Sequence, residues 1–413
     1  MHKIPLIPSI TVIIFLSLTI ISLPEVVHSV QPVEVAGIEL DALRESGYRI
    51  DWMNHSNSTS LHLPTIIKES LYTLDGEDHL TRYDLYSGKW LWSAPVGNQV
   101  FKIRSITEFP QENLVYILSD GAVYAIEKTT GNYPSQVNAD GSRIKGQKQV
   151  LPLQWISNTP ALSADDRTLI YGSTKGDVVW FDPTIGFNTH RYRVGSTMSV
   201  KPSYAAGIRN KNGLLRETIV STSSDGNVLS LDLNQVNELW SFPLTSEVVA
   251  PIAYGTSTTR VDDEQLPRSS VFIAGTDQYL RAVDLHTGKP RWNILATAPL
   301  IDAPFFRNGV VYQRIPSVGL AAYNAFPDVL SGEKLWLAED VLGSLITTTK
   351  RGHLVSWDKE HSKLQVVDPR KGGVVSSLAI PNIKNLITDD SNNGSLYILT
   401  NDDVLIRLVP RNQ

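Results

Sequence analysis

The sequence predicts an all-β fold, an eight-bladed β-propeller whose ring is closed by an N-terminal strand and which is preceded by a signal peptide. Three observations support this prediction. One phrase occurs twice, about 200 residues apart, and similar units recur at steps that average in the mid-forties. Apolar residues rarely follow a helical spacing after residue 48. A period of this size built from short strands is typical of a propeller blade.

The duplicated phrase reads RYDLYSGKWLW from Arg82 and RAVDLHTGKPRW from Arg281. Both copies contain Asp-Leu, then Gly-Lys, then Trp, and relatives of the phrase occur in the other units. We interpret the phrase as one hairpin in different blades, with the Trp ring wedged between neighbouring sheets. The residues that we assign as structural repeat anchors on this basis are Asp84, Gly88, Trp92, Asp232, Trp240, Asp284, Gly288, Trp292, Trp336 and Asp358.

Each unit follows the same order of short strands. An apolar, β-rich run comes first, followed by a tight turn and by a strand of alternating polarity, as in AVYAIE and NVLSLD. The turns contain Asp120-Gly121, Lys175-Gly176, Asp225-Gly226 and Arg351-Gly352, pairs that supply the positive φ of a two-residue hairpin. Stretches such as EVVAPIAY and APLIDAPFFRN are expected to form the innermost strand of the next blade.

The two ends of the chain complete one blade between them. The last unit, from Ser395, reaches only LIRLVP before the chain stops and lacks the last strand, the one expected to contain Trp. The segment YRIDWM near the N-terminus has that missing pattern, with Trp52 in place. We expect this segment to pair beside Val404–Val409 and to remove the open sheet edge. The stretch Pro134 to Leu153 shows no clear outer strand, so a count of seven blades stays open beside eight.

The N-terminal segment differs from the rest of the chain. Its apolar run, Ile4 to Leu23, precedes Val27 and Ser29 at the positions of a small-residue cleavage site, which is the layout of a signal peptide. An uncleaved membrane anchor is the alternative, because the run is long enough to span a bilayer. We therefore divide the chain into residues 1–29, signal peptide or anchor; 30–47, a linker with a short helix; and 48–410, one propeller domain.

Composition excludes several classes of function. The net charge of −5 gives no general attraction to nucleic acid. The absence of cysteine excludes disulfides, thiolate zinc sites, a cysteine nucleophile and a lipid-modified N-terminal cysteine. The nine histidines form no pair at metal-ligand spacing, and no acidic stretch has the ligand spacing of a calcium loop. We therefore expect no catalytic, cofactor-binding or metal-binding residues and no cofactor.

The phrase with Asp84, Gly88 and Trp92, and its copy with Asp284, Gly288 and Trp292, resembles the repeat of the quinoprotein (pyrroloquinoline-quinone-like) β-propellers. The resemblance covers nearly all of Tyr48 to Pro410. It implies the fold and leaves two classes of function open. The superfamily contains quinone-dependent dehydrogenases and also exported scaffolds, such as the propeller subunit of the outer-membrane β-barrel assembly machinery. The dehydrogenases are longer, and the alcohol dehydrogenases commonly hold the quinone against a disulfide of adjacent cysteines, which this chain lacks.

The expected function is therefore that of an exported, non-catalytic scaffold of the bacterial periplasm or cell envelope. We expect a monomer, without a membrane span in the mature chain, that binds protein or envelope partners through inter-blade loops and does not bind nucleic acid. The longer candidate loops, which include Tyr133, Arg260 and Phe326, are Tyr133–Val150, Ile208–Glu217, Thr256–Ser270 and Ile315–Gly332. A quinone-dependent dehydrogenase-like enzyme and an extracytoplasmic ligand-binding or sensor domain are the alternatives.

Overall fold

The computed structural model describes residues 34–56, 58–97, 99–137, 143–144, 146, 148–164, 167–198, 200–206, 217–257, 268–389 and 391–411. The expected signal peptide, residues 1–29, lies outside this part of the chain. Within the described ranges, no helix is long and apolar enough to cross a membrane. The described chain begins with a small hairpin and a short helix that lead into a long strand. These elements are β1 (Glu34–Val35), β2 (Ile38–Glu39), α1 (Leu40–Glu45) and β3 (Tyr48–His55).

The remaining strands form four-stranded antiparallel sheets, the blades, which we number in chain order. Blade 1 contains β4 (His62–Ile67), β5 (Ser70–Leu74), β6 (His79–Asp84) and β7 (Trp90–Pro95). Blade 2 contains β8 (Ile103–Glu108), β9 (Leu114–Ser119), β10 (Ala122–Glu127) and, after the small hairpin β11 (Gln136–Val137) and β12 (Arg143–Ile144), β13 (Gln149–Pro152). Blade 3 contains β14 (Leu162–Ala164), β15 (Thr168–Gly172), β16 (Asp177–Asp182) and β17 (Phe187–Arg193). Blade 4 contains β18 (Ser203–Ala205), β19 (Thr218–Thr222), β20 (Asn227–Asp232) and β21 (Glu238–Pro243).

The second half of the ring repeats this pattern. Blade 5 contains β22 (Ala253–Thr256), β23 (Ser269–Ala274), β24 (Tyr279–Asp284) and β25 (Pro290–Leu295). Blade 6 contains β26 (Phe305–Arg307), β27 (Val310–Ile315), β28 (Gly319–Asn324) and β29 (Lys334–Ala338). Blade 7 contains β30 (Ser344–Thr348), β31 (Leu354–Asp358), β32 (Lys363–Val367) and β33 (Val374–Ala379). Blade 8 contains β34 (Ile383–Ile387), β35 (Leu396–Thr400) and β36 (Val404–Pro410), and its fourth strand is β3.

The prediction of eight blades closed by an N-terminal strand is confirmed. Strand β3 pairs antiparallel with β36, from Tyr48 opposite Pro410 to His55 opposite Val404, and Trp52 lies opposite Arg407. The chain's first long strand and its last strand thus share one ladder, which leaves blade 8 with the same four strands as the other blades.

The hydrophobic core is divided among the contacts between adjacent blades, which we call seams. Each of eight buried apolar clusters joins two neighbouring blades, and the cluster of Leu71, Tyr83, Tyr397 and Leu405 joins blades 8 and 1. The second strands supply much of this core because both of their faces are covered; every residue of β5, β15 and β19 is buried. Because both faces are covered, these strands contain no charged residue and combine apolar residues with Ser and Thr, as in SLYTL and TIVST.

A buried polar cluster joins blades 1 and 2 beside this core. Glu108, 6% exposed, accepts a hydrogen bond from the Tyr72 hydroxyl at 2.6 Å and forms an ion pair with Lys128. Burial, followed by the Glu108 charge, raises the pKa of Tyr72 well above its ordinary range. The carboxylate is therefore satisfied from two sides, as a buried charge requires.

Two details of the blades, one in a hairpin turn and one in the innermost strands, differ from the expectation. Gly176, Gly226 and Gly352 have positive φ, as predicted, whereas Gly121 does not. At Gly121 the missing side chain makes room for the Phe101 ring instead, because a Cβ would lie 2.9 Å from it. The innermost strands are also shorter than expected, since β22 begins at Ala253 and β26 at Phe305, so that EVVAP and APLIDAP form the connections before them.

Candidate interaction surface

The Asp of the repeated phrase shapes the turn between the third strand and the outer strand. Asp84 Oδ1 accepts hydrogen bonds from the Ser87 amide at 2.8 Å and from its hydroxyl at 2.6 Å. Asp284 Oδ1 accepts from the amides of His286 and Thr287, at 3.0 and 2.8 Å. The bonds from Ser87 hold the pKa of Asp84 below its usual value. The carboxylate therefore fixes the turn that carries the following Gly.

The outer-strand Trp of one blade docks on the equivalent turn of the next blade. In each case the indole Nε1–H donates a hydrogen bond to the backbone carbonyl of the second residue of that turn. The five pairs are Trp52 with Leu85 at 3.1 Å, Trp92 with Lys128 at 2.8 Å, Trp240 with Leu285 at 2.6 Å, Trp292 with Ala325 at 3.0 Å and Trp336 with Pro369 at 2.9 Å. We call this arrangement the Trp latch.

The Gly of the turn lies against the indole of the preceding blade. A Cβ on Gly288 would lie 2.7 Å from Trp240, and one on Gly88 would lie 2.5 Å from Trp52. Both glycines also have positive φ, 69° and 67°. Two of the repeat anchors thus meet across a seam, and Asp232 shapes the turn of blade 4, where its Oδ1 accepts from the amides of Asn234 and Gln235 at 3.0 and 2.9 Å.

The assignment of Asp358 as a repeat anchor needs correction. Asp358 ends β31, the second strand of blade 7, and its carboxylate accepts from the amides of Glu360 and His361 at 3.0 and 3.2 Å. Asp368 occupies the anchor position instead, because Trp336 donates to the carbonyl that follows it. Both aspartates cap similar turns, so the residue type alone could not distinguish them; the glycine four positions after Asp368 was the usable signal.

The structure describes the expected binding loops only in part, and one of them, Ile315–Gly332, exposes Val329 (52%) and Leu330 (78%). Residues 138–142, 207–216 and 258–267, with Arg260, lie outside the described residues. Strand β28 lies inside the expected loop Ile315–Gly332, which is therefore not one long loop. Tyr133 and Phe326 pack against the core: the Tyr133 hydroxyl donates to the Pro95 carbonyl at 2.7 Å, and the Phe326 ring lies edge-on to Phe306 at 6.2 Å.

Exposed apolar side chains also lie on the connections from the outer strand of one blade to the first strand of the next. Because each blade is an antiparallel meander, all these connections lie on one face of the disc, which we call the connector face. Their exposed apolar residues, with relative exposure, are Val100 (76%), Phe101 (40%), Ile156 (52%), Val249 (43%) and Ile301 (51%). An apolar set of this kind on one face is typical of an interaction surface.

Val249 and Ile301 are equivalent residues on successive connections. Each follows a fully buried residue, Val248 or Leu300, which anchors the connection in the seam below. Ile301 also precedes Asp302, whose carboxylate accepts from Arg314 Nη1 at 3.0 Å and from Ser344 Oγ at 2.7 Å. These bonds reach blades 6 and 7 and hold the backbone that presents Ile301.

The opposite face, where third strands turn into outer strands, we call the turn face. Tyr86, Ile185, Val329 and Leu330 are exposed there, by 55%, 58%, 52% and 78%. The basic pairs Lys350-Arg351 and Arg370-Lys371 lie in two turns at this edge of blade 7. Elsewhere, no group of three His, Asp or Glu side chains in the described ranges is placed to hold a metal ion.

The fold and the Trp latch define a class of protein, the eight-bladed propeller built from quinoprotein-like repeats. A family profile described as outer membrane protein assembly factor BamB matches residues 40–263 and 224–407. The chain belongs to this family.

Solved structures agree on the fold. BamB from Moraxella catarrhalis superposes with a TM-score of 0.59 at 17% identity, over 89% of this chain and 98% of that one. The computationally designed Ika8 protein superposes with a TM-score of 0.59 at 14% identity, over 86% of this chain and 97% of that one. No curated protein matches the sequence. At these identities the likeness concerns the fold alone.

Proposed function

We propose that the protein is an exported, non-catalytic scaffold of the bacterial cell envelope that binds a protein partner through the connector face. Membership of the assembly-factor family supports a scaffold role. The single observation that carries the choice of face is the pair Val249 and Ile301, equivalent apolar residues that are half-exposed on successive connections.

The chemistry of the connector face favours a protein partner. Interface cores are depleted in charge and enriched in apolar and aromatic residues, and Phe101, Ile156, Val249 and Ile301 fit that composition. Burial of about 100 Å² of apolar surface contributes about 2.5 kcal/mol. Part of this gain is offset by the entropy cost of ordering the loops at an interface, a cost that is smaller where the orientation of the loop is already fixed. The Asp302 network supplies that orientation, because it holds the connection before a partner arrives.

The test is site-specific photocrosslinking in cells. A photoreactive amino acid at Val249 or Ile301 should capture a defined envelope protein, and the matched positions Ile185 and Val329 on the turn face should not. The four positions have similar exposure, so a difference reports the face rather than accessibility. Capture from the turn face alone would contradict the proposed face, and robust dehydrogenase turnover with added quinone and calcium would contradict the non-catalytic role.

Export has a separate test. The apolar run and the small residues Val27 and Ser29 support cleavage after residue 29 and a mature protein in the periplasm. The mass of the protein isolated from cells distinguishes cleavage from a retained anchor. A protein that keeps its N-terminal residues and stays in the cytoplasm would contradict export.

A further inference from the structure

The outer strands of the eight blades follow a common pattern that one strand breaks. We compare the outer strands from one common reference residue. This is the outer-strand residue that pairs with the third-strand residue two positions before the turn, and in five blades it is the Trp of the latch. Two residues further along, seven outer strands carry an apolar or aromatic side chain that packs in the seam. These residues are Ala94, Leu151, Tyr192, Phe242, Ile294, Ala338 and Leu378. In the closing strand β3 the residue is Asn54.

Asn54 lines a cavity of about 360 Å³ at the closing seam, between β3 and blade 1. Ser56, Thr81, Ser93 and the 55% exposed Trp90 line it as well. Of the described residues that line this cavity, His55 is the only basic one, and none is Asp, Glu, Lys or Arg. The volume is that of a small-molecule site.

The seam between blades 5 and 6 contains an equivalent cavity of about 250 Å³ with different chemistry. Ile294 stands there in place of Asn54, and Leu337 in place of Ser93, as the strand registers show. Lys334 takes the place of Trp90. The fold therefore does not require polar side chains at this place, and their presence at the closing seam calls for another reason.

The polar groups at the closing seam are oriented by their neighbours. Asn54 Nδ2 donates to the Gly88 carbonyl at 2.7 Å, which turns the amide and leaves Oδ1 as an acceptor. Thr81 Oγ1 donates to Ser93 Oγ at 3.0 Å, so the Ser93 hydroxyl keeps its own proton to donate. The cavity thus offers both an acceptor and a donor beside an aromatic ring.

We propose that this cavity binds a neutral saccharide of one or two rings. A cationic ligand would meet no carboxylate and an anionic ligand would meet His55 alone, whereas a purely apolar ligand would leave the Asn54 and Ser93 groups without partners. A pyranose carries hydroxyl groups at its edge and an apolar face of C–H groups. The hydroxyls match Asn54 and Ser93, and the apolar face matches the exposed ring of Trp90.

The test uses the purified protein and a panel of glucose, N-acetylglucosamine and their disaccharides, with glucose 6-phosphate and cyclohexanol as charged and apolar controls. Binding is followed by ligand-observed NMR and tryptophan fluorescence. At least one neutral sugar should bind saturably, Trp90→Ala should weaken that binding at least tenfold, and Lys334→Ala, the matched change at the other seam, should leave it unchanged.

A second variant keeps the test informative if Trp90 has other roles. The double change Asn54→Ile with Ser93→Leu copies the apolar seam, so it should abolish sugar binding without lowering the thermal midpoint. The proposal is overturned if no neutral sugar binds, if cyclohexanol or glucose 6-phosphate binds as tightly, or if the double variant binds within twofold of the unchanged protein. Crosslinking from the connector face is independent of each of these results.

Discussion

The Trp latch makes a quantitative prediction at Gly288. Replacing Gly288 with Ala introduces two costs: an L-residue at φ +69°, and a Cβ that would lie 2.7 Å from the Cβ and Cγ of Trp240. The left-handed conformation costs about 1–2 kcal/mol for a residue other than Gly. Overpacking a well-filled site typically adds about 1–3 kcal/mol. Gly288→Ala should therefore lower the free energy of unfolding by about 2–5 kcal/mol.

Gly309 provides the matched control. Its φ is +79°, and a Cβ there would meet no atom within 4 Å. Gly309→Ala should therefore incur only the backbone cost, about 1–2 kcal/mol. The difference between the two variants isolates the contact with Trp240.

The assay is urea unfolding followed by tryptophan fluorescence and far-UV circular dichroism, with stability compared at a common slope. The midpoint should fall for both variants and should fall further for Gly288→Ala. If Gly309→Ala costs as much as Gly288→Ala, the close approach of Gly to the indole contributes nothing and the description of the latch is wrong.

Three further predictions concern the seams and the buried core. Trp292→Phe removes the indole donor and leaves the buried carbonyl of Ala325 unpaired, so urea unfolding should show a loss of about 1–3 kcal/mol. Glu108→Ala breaks the buried Tyr–Glu–Lys cluster and should cost about 3–5 kcal/mol, whereas Glu238→Ala, which removes an exposed Tyr–Glu hydrogen bond of the same 2.6 Å length, should cost under about 1 kcal/mol; equal losses would contradict the role of burial. Burial raises the pKa of Tyr323 to about 12, so the stability that its neutral form contributes is complete below pH 10 and is lost as the pH rises from 10 to 12. The free energy of unfolding, obtained from thermal melts across that range, should therefore fall less steeply for Tyr323→Phe, by up to about 1.4 kcal/mol per pH unit.

The fold was predictable because each blade repeats the same local signals. The apolar runs, the Asp-Gly spacing and the outer-strand Trp identify the hairpins, and the missing last strand identified Trp52 as the closing residue. The error at Asp358 came from the same kind of signal. An Asp that caps the turn between the second and third strands has the same sequence pattern as one that caps the turn between the third and outer strands. Only the position of the Trp336 indole across the seam shows that Asp368 is the equivalent residue.

The surfaces were less predictable than the fold. Val249 and Ile301 lie in apolar runs that continue into strands, so the sequence does not show that the chain turns outward before β22 and β26. Trp90 lies in the repeated phrase and Asn54 two residues after Trp52, but their meeting depends on the register between β3 and β36. A comparison of equivalent positions in all eight outer strands would have singled out Asn54, but that comparison needs the strand pairings.

Strand β3 also sets the order in which the protein can mature. It is the first long strand to be synthesised, yet its partner β36 is made last, so some 350 residues must be produced before the pair can form. Until then the sheet edges at both ends stay open, which is the condition that invites misassembly between chains. Assembly of the closing blade therefore joins the most distant parts of the chain, a slow type of contact. A permuted protein with β3 fused after β36 should form this last blade from local contacts alone and should refold faster.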